Sequence, residues 1–116
     1  GALGAGTAEI GNVKNSGTFA VQTPLAGPFV SQAKISVTGT RVQLGSNVLS
    51  NGVIITALST NTAKMTVGGS AVTNTVDGTG NGYILEAGSS SSFAVSNTNA
   101  LYINGTAGDI VSYAGS

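Results

Sequence analysis

The sequence contains no cysteine, no histidine and no tryptophan, and each absence removes a class of chemistry. Without cysteine there is no disulfide framework and no thiolate to act as nucleophile or metal ligand. Without histidine the commonest metal ligand and the usual general base at neutral pH are missing. Neither a Ser/His/Asp nor a Cys/His arrangement can be built. No indole ring is present to line a sugar site. Charge is scarce as well: 7% of residues are charged, and Lys14, Lys34, Lys64 and Arg41 are offset by Glu9, Asp77, Glu86 and Asp109 to a formal net charge of zero. The cations stand singly, so neither a nucleic-acid groove nor an anionic membrane footprint is expected. No apolar run approaches the ~20 residues of a membrane span, and the stretch GALGAGTAEIGN at the start lacks the basic region and apolar core of a signal peptide.

What is present in excess is glycine, serine, threonine and asparagine, which wet a surface without charge and favour turns and extended chain over helix interiors. Leu, Ile, Val and Phe still make up about a quarter of the chain, above the roughly one-fifth below which chains stay disordered. With 116 residues, one folded domain is expected. A domain of zero net charge tends to associate, so an assembly is expected too.

Helical periodicity is absent and strand patterns take its place. GVIITALS (52–59), β-branched and apolar between Asn51-Gly52 and STNT, reads as a buried strand. In AKISVTGTRVQLG (33–45), Ile35 and Val37 share one face and Val42 and Leu44 the opposite phase, so a bulge or tight bend is expected at Gly39. SFAVS (92–96) and ALYIN (100–104) alternate in the same way. Asn51-Gly52, Gly68-Gly69, Asp77-Gly78, Asn81-Gly82 and Asn104-Gly105 read as hairpin turns, because such turns need positive φ, which Gly tolerates freely and Asn and Asp best among the rest. Together these signals indicate an all-β fold, a small antiparallel β-sandwich of about seven to nine short strands.

The first 32 residues differ. They hold both prolines, Pro24 and Pro28, and their apolar residues are irregularly spaced; proline cannot donate to a central ladder. Residues 1–32 are therefore read either as an extended N-terminal arm that docks on a partner or as first strands, and residues 33–116 as the sandwich. If the segment is an arm, Phe19, Val21, Leu25 and Phe29 are its expected partner or subunit contacts.

The remaining chemical options are thin. Glu9, Asp77, Glu86 and Asp109 could form a carboxylate pair of glycosidase type only if two of them met in space; solvated turn positions are the simpler reading. A Ser-Lys pair has no local motif behind it. Lysine never follows a P-loop glycine, and Gly78-x-Gly80-x-Gly82 leads into YILEAG instead of a helix. DGTGNG (77–82) spaces Asp77 like the first ligand of a calcium loop, but the twelfth position is Gly88 where a bidentate Glu is needed. Asp77 could face water, a neighbouring subunit or a cation. Asn104-Gly105-Thr106 fits a glycosylation triplet and equally a turn. The expectation is no catalytic residue, no cofactor, no metal and no small-molecule substrate.

In its second half the chain resembles a known group. Val67-Gly68-Gly69-Ser70-Ala71-Val72-Thr73, then Ala87-Gly88-Ser89-Ser90, then the stretch from Leu101 to Tyr113 follow in that order. Over residues 42–115 this is similar to the small β domains of tailed-bacteriophage head decoration and head-fibre proteins. The resemblance implies a jelly-roll-like sandwich and a homotrimer on the outer surface of an icosahedral capsid, bound to the major capsid protein as a structural or cement component of the virion. A carbohydrate-binding or host-adhesion module of a fibre or cell surface is the alternative, and exposed Tyr83, Tyr102 and Tyr113 beside Asn-rich loops would favour it.

Overall fold

In the computed structural model, residues 28–116 are described. Eight strands occur among them: β1 (Phe29–Lys34), β2 (Val42–Gln43), β3 (Val53–Ala57), β4 (Met65–Gly68), β5 (Tyr83–Leu85), β6 (Ser90–Phe93), β7 (Tyr102–Asn104) and β8 (Ile110–Gly115). A single 3-10 turn at Thr98–Ala100 precedes β7. The strands form two four-stranded sheets, ordered β1-β8-β3-β6 and β2-β7-β4-β5, with every pairing antiparallel. The protein is an all-β sandwich. Its pairs are nested: first strand with last, second with seventh, third with sixth, fourth with fifth.

Alternation along the strands supplies the core. Because successive side chains point to opposite faces, β3 sends Val53, Ile55 and Ala57 inward and leaves Ile54 53% exposed. Facing them from the second sheet are Met65, Val67, Leu85 and Ile103, with Val111 and Tyr113 of β8 beside β3. The run at 52–59 is thus buried on one face only, a correction to the fully buried strand its continuous apolar sequence suggests. Ile54 has no counterpart in the core.

The expected phase shift near Gly39 is a tight turn, not a bulge. Thr40 N donates to Val37 O at 3.1 Å, and Gly39 takes φ +81°, a conformation that costs a side chain strain but glycine little. The chain crosses there from the first sheet to the second, so Ile35 and Leu44 are both buried although they stand in opposite phase.

In two of the five expected hairpin turns a glycine does other work. Gly105 is buried, and a Cβ there would stand 3.1 Å from both Ile35 Cδ1 and Met65 Cβ. Close packing, not positive φ, requires glycine at that position. Gly68 lies inside β4, where a Cβ would meet Val72 Cγ1 at 2.9 Å.

The end of the 1–32 segment, read as an arm or as first strands, is a strand. β1 begins at Phe29, so residues 29–32, assigned by sequence to the N-terminal part, belong to the first sheet and pair with β8. Residues 1–27, the rest of the expected arm, lie outside the described residues.

Candidate functional site

The two outer faces of the sandwich are unlike each other, and the difference begins with the connection between β4 and β5. Residues 69–82 fold back over the second sheet. Val72 is buried there against Gly68 and Gly82, where any Cβ would collide with its Cγ1. Thr66, buried on this face, donates through Oγ1 to Thr73 O at 2.5 Å. Asn81 N donates to Thr73 Oγ1 at 3.0 Å, and Thr73 N to Asn81 O at 3.0 Å, drawing the two arms of the loop together. Asn104, 2% exposed, donates through Nδ2 to Val72 O at 3.2 Å and to Gly39 O at 3.4 Å, while its Oδ1 accepts from Gly105 N at 2.8 Å. Its amide is therefore used up in the fold, which corrects both readings of the Asn104 triplet: there is no room for a glycan, and the residue is a buried tie.

Nothing among the described residues covers the first sheet in this way. Its registers place Val30 beside Ala114, Ala114 beside Ile54 and Ile54 beside Ser92, so one row crosses all four strands. Val30 is 81% exposed, the highest value for a large apolar side chain among the described residues. The next row, Gln32, Ser112, Thr56 and Ser90, is polar and uncharged; Thr56 Oγ1 and Ser90 Oγ share a 2.7 Å hydrogen bond across it. Lys34 is the one charge carried by the four strands. At the Val30 end the face opens into a groove of about 410 Å³.

The three described carboxylates, Asp77, Glu86 and Asp109, sit in separate settings. Among the described residues no three of His, Cys, Asp and Glu come together to hold a metal, and Glu9 lies outside them. Asp109 is 3% exposed, and its oxygens are taken by Thr62 N (2.9 Å), Thr62 Oγ1 (3.1 Å) and Ala63 N (3.2 Å). It holds the β3–β4 connection against the start of β8. Asn61 completes that tie, donating from Nδ2 to Ile110 O and accepting from Ile110 N through Oδ1, both at 2.9 Å. Glu86 is exposed just past β5.

Asp77 is exposed, and its Oδ1 accepts from Thr79 Oγ1 at 2.6 Å and Thr79 N at 2.9 Å. It closes a local Asx turn. The Thr79 hydroxyl, and after it the Thr79 backbone N–H, hold the Asp77 carboxyl below its ordinary value. A depressed folded pKa stabilises the loop above the unfolded value, and that contribution is lost as pH falls through the folded one. Thr79→Ala removes the larger cause, so Asp77 is expected to titrate higher, nearer an ordinary aspartate, when its carboxyl carbon is followed by NMR. An unchanged titration would mean that the hydroxyl contributes nothing.

The three tyrosines separate. Tyr113 is buried, with its ring edge-on to Phe29 at 6.0 Å. Tyr102 carries the Arg41 guanidinium over its ring, 5.6 Å from the centroid. Only Tyr83 presents a large exposed ring, edge-on to Phe93 at 6.0 Å where the two sheets open. Of the four expected contact residues, Phe19, Val21 and Leu25 lie outside the described residues. Phe29 opens β1, half-buried against the core. Its ring packs on Tyr113 of the same chain. Sequence reasoning missed the Val30–Ala114–Ile54 row; the lone signal for it was Ile54 standing out of phase with Val53 and Ile55.

No family model matches the chain, and no curated protein does. Among solved structures it is similar to one from work on Bacillus endospore appendages, described as a novel family of disulfide-linked pili. That likeness has 17% identity over 88% of this chain and 97% of that one, with a TM-score of 0.41. The linkage is that protein's; this chain has no cysteine.

Proposed function

We propose that the chain is a structural subunit that decorates the outside of a tailed-phage capsid as a homotrimer, in contact with the major capsid protein. The observation that carries the reading is the contrast between the two outer faces. One is roofed by the chain's own loop, while the other presents a surface whose one strand-borne charge is Lys34, with an apolar row, Val30, Ala114 and Ile54, across three of its four strands. Exposed contiguous apolar surface of that kind belongs to contacts with other macromolecules. The nested strand order supports a jelly-roll reading, in keeping with the decoration proteins the second half resembles. Binding strength in such a subunit comes from symmetry and repeated contacts, not from a pocket.

The test is cosedimentation with capsids stripped of decoration. Wild-type protein saturates its sites, and Phe19→Ala with Val21→Ala lowers occupancy at least tenfold; Phe29 is left in place because it packs on Tyr113. Unchanged occupancy would remove residues 19–21 from the contact, and failure of the wild type to bind would remove the capsid. Tyr83, exposed beside Asn81, supports the adhesion reading as second choice. Under that reading a glycan array gives hits that Tyr83→Ala abolishes.

A further inference from the structure

Two features meet at one end of the first sheet. The first is the groove of about 410 Å³, which small residues, Gly52, Ala94, Ala114 and Gly115, keep open, with Ile54 and Phe93 beside them; no charged residue lines it. Its glycines are fixed by the fold, since a Cβ at Gly115 would stand 2.6 Å from Gly52 O, and one at Gly52 would stand 2.7 Å from Phe93 O. The fold therefore holds this end of the face low while the apolar row beside it stays uncovered.

The second feature is where residues 1–27 join the sheet. Phe29 opens β1 and pairs with Gly115 of the groove, so the preceding chain arrives at the groove's own end. No charge occurs between Lys14 and Lys34, and Phe19, Val21 and Leu25 fall in that interval. Segment and groove match in being apolar and uncharged, so bringing them together strands no buried charge.

Reach and direction decide whose groove is filled. Neighbouring strands lie about 5 Å apart, which puts β3 about 10 Å from β1. At ~3.3–3.6 Å per residue, Phe19 can extend roughly 35 Å beyond Phe29, far past the sheet's own edge. The Thr23-Pro24 and Gly27-Pro28 steps disfavour helical backbone at the residue before each proline and favour an extended or turn conformation there. Because exit and groove share one end, copies meeting there can each fill a neighbour's groove and close the set with none left empty.

We propose that residues 19–25 of a second copy of this chain lie in the groove beside Ile54. This deepens the self-assembly part of the reading above and does not depend on the capsid. The natural chain has no cysteine, so single-cysteine variants report the contact without background. Full-length Leu25→Cys and Ile54→Cys chains, mixed in equal amounts without capsids and oxidised mildly, are expected to give a covalent pair containing one of each, doubling the apparent mass on a non-reducing gel. Leu25→Cys mixed with Ser70→Cys, whose cysteine lies on the loop over the other sheet, is expected to give no mixed pair. Absence of the Leu25–Ile54 pair overturns the proposal. So does a Leu25→Cys/Ile54→Cys double variant that forms its bond only within one chain, which would place the segment in its own groove. Wild-type capsid occupancy is a separate readout, so failure of this contact is distinguishable from failure of the decoration reading.

Discussion

Asp109→Ala is expected to lower the melting temperature by roughly 8–30 °C, a large loss for a single substitution in a domain of this size. The carboxylate is 3% exposed and accepts from Thr62 N, Thr62 Oγ1 and Ala63 N. Alanine leaves those donors facing the space the carboxylate filled. The donors are part-buried, so each of the two backbone N–H groups left without a partner falls in the lower part of the range of about 1–3 kcal/mol for a buried donor, and the Thr62 hydroxyl can turn away; the net is about 2–4 kcal/mol. The connection the carboxylate holds also reaches β8 through Asn61, whose two hydrogen bonds to Ile110 act like a further strand residue. Loss of the first tie is therefore felt in the central strand of the sheet. Asp109→Asn, which keeps one acceptor oxygen, is expected to lose less. Thermal unfolding followed by circular dichroism separates the outcomes, and a shift within error for alanine would mean that these hydrogen bonds contribute nothing net.

Ile54→Arg is expected to act in the opposite way, leaving the fold intact and dispersing the assembly. Ile54 is 53% exposed on a central strand and faces away from the core, and surface substitutions usually stay within about 0.5 kcal/mol of the parent. At an interface the same change places a guanidinium among uncharged partners. An unpaired buried charge costs about 3–5 kcal/mol, a weakening of association on the order of a hundredfold to a few thousandfold. Sedimentation velocity at a concentration where the wild type is fully associated should show the variant as a folded monomer, its circular dichroism spectrum like that of the wild type and its melting temperature lower only by what association contributes. A variant that associates like the wild type would clear this face of any role.

The strand pattern was legible because a sandwich needs alternating side chains. Phe93 and Val95, Leu101 and Ile103, and Ile35 and Leu44 on either side of Gly39 all announce their faces locally. Partnerships were not legible. The row at Val30, Ala114 and Ile54 joins three distant segments, and no local pattern shows that β8 lies between β1 and β3. For the same reason Ile54 looked like one more buried residue in an apolar run.

Glycine and asparagine carried ambiguous signals. Gly52, Gly78 and Gly82 have the positive φ that turns need, whereas Gly105 is glycine because Ile35 and Met65 crowd it. Asn104 reads as a turn residue beside that glycine, yet its side chain reaches carbonyls at Gly39 and Val72, far away in sequence. In the stretch TVGGSAVTNTVDGTGNGY, turns were expected and are present at Gly78 and Gly82. Its folding back as a roof was not foreseeable, because the buried residue that anchors it, Val72, has no periodic neighbours. In the sequence Asp109 stands out as one of few acids; only the meeting of the 61–63 stretch with β8 reveals a structural tie.

We propose above an assembling subunit that makes its contacts through its N-terminal segment and its first sheet, in which Lys34 is the one charge carried by the strands. Static light scattering on the purified wild-type chain across a wide concentration range tests it most directly. The account predicts a concentration-independent mass three times that of the 11.3 kDa chain, and a mass of one chain at every concentration would contradict it.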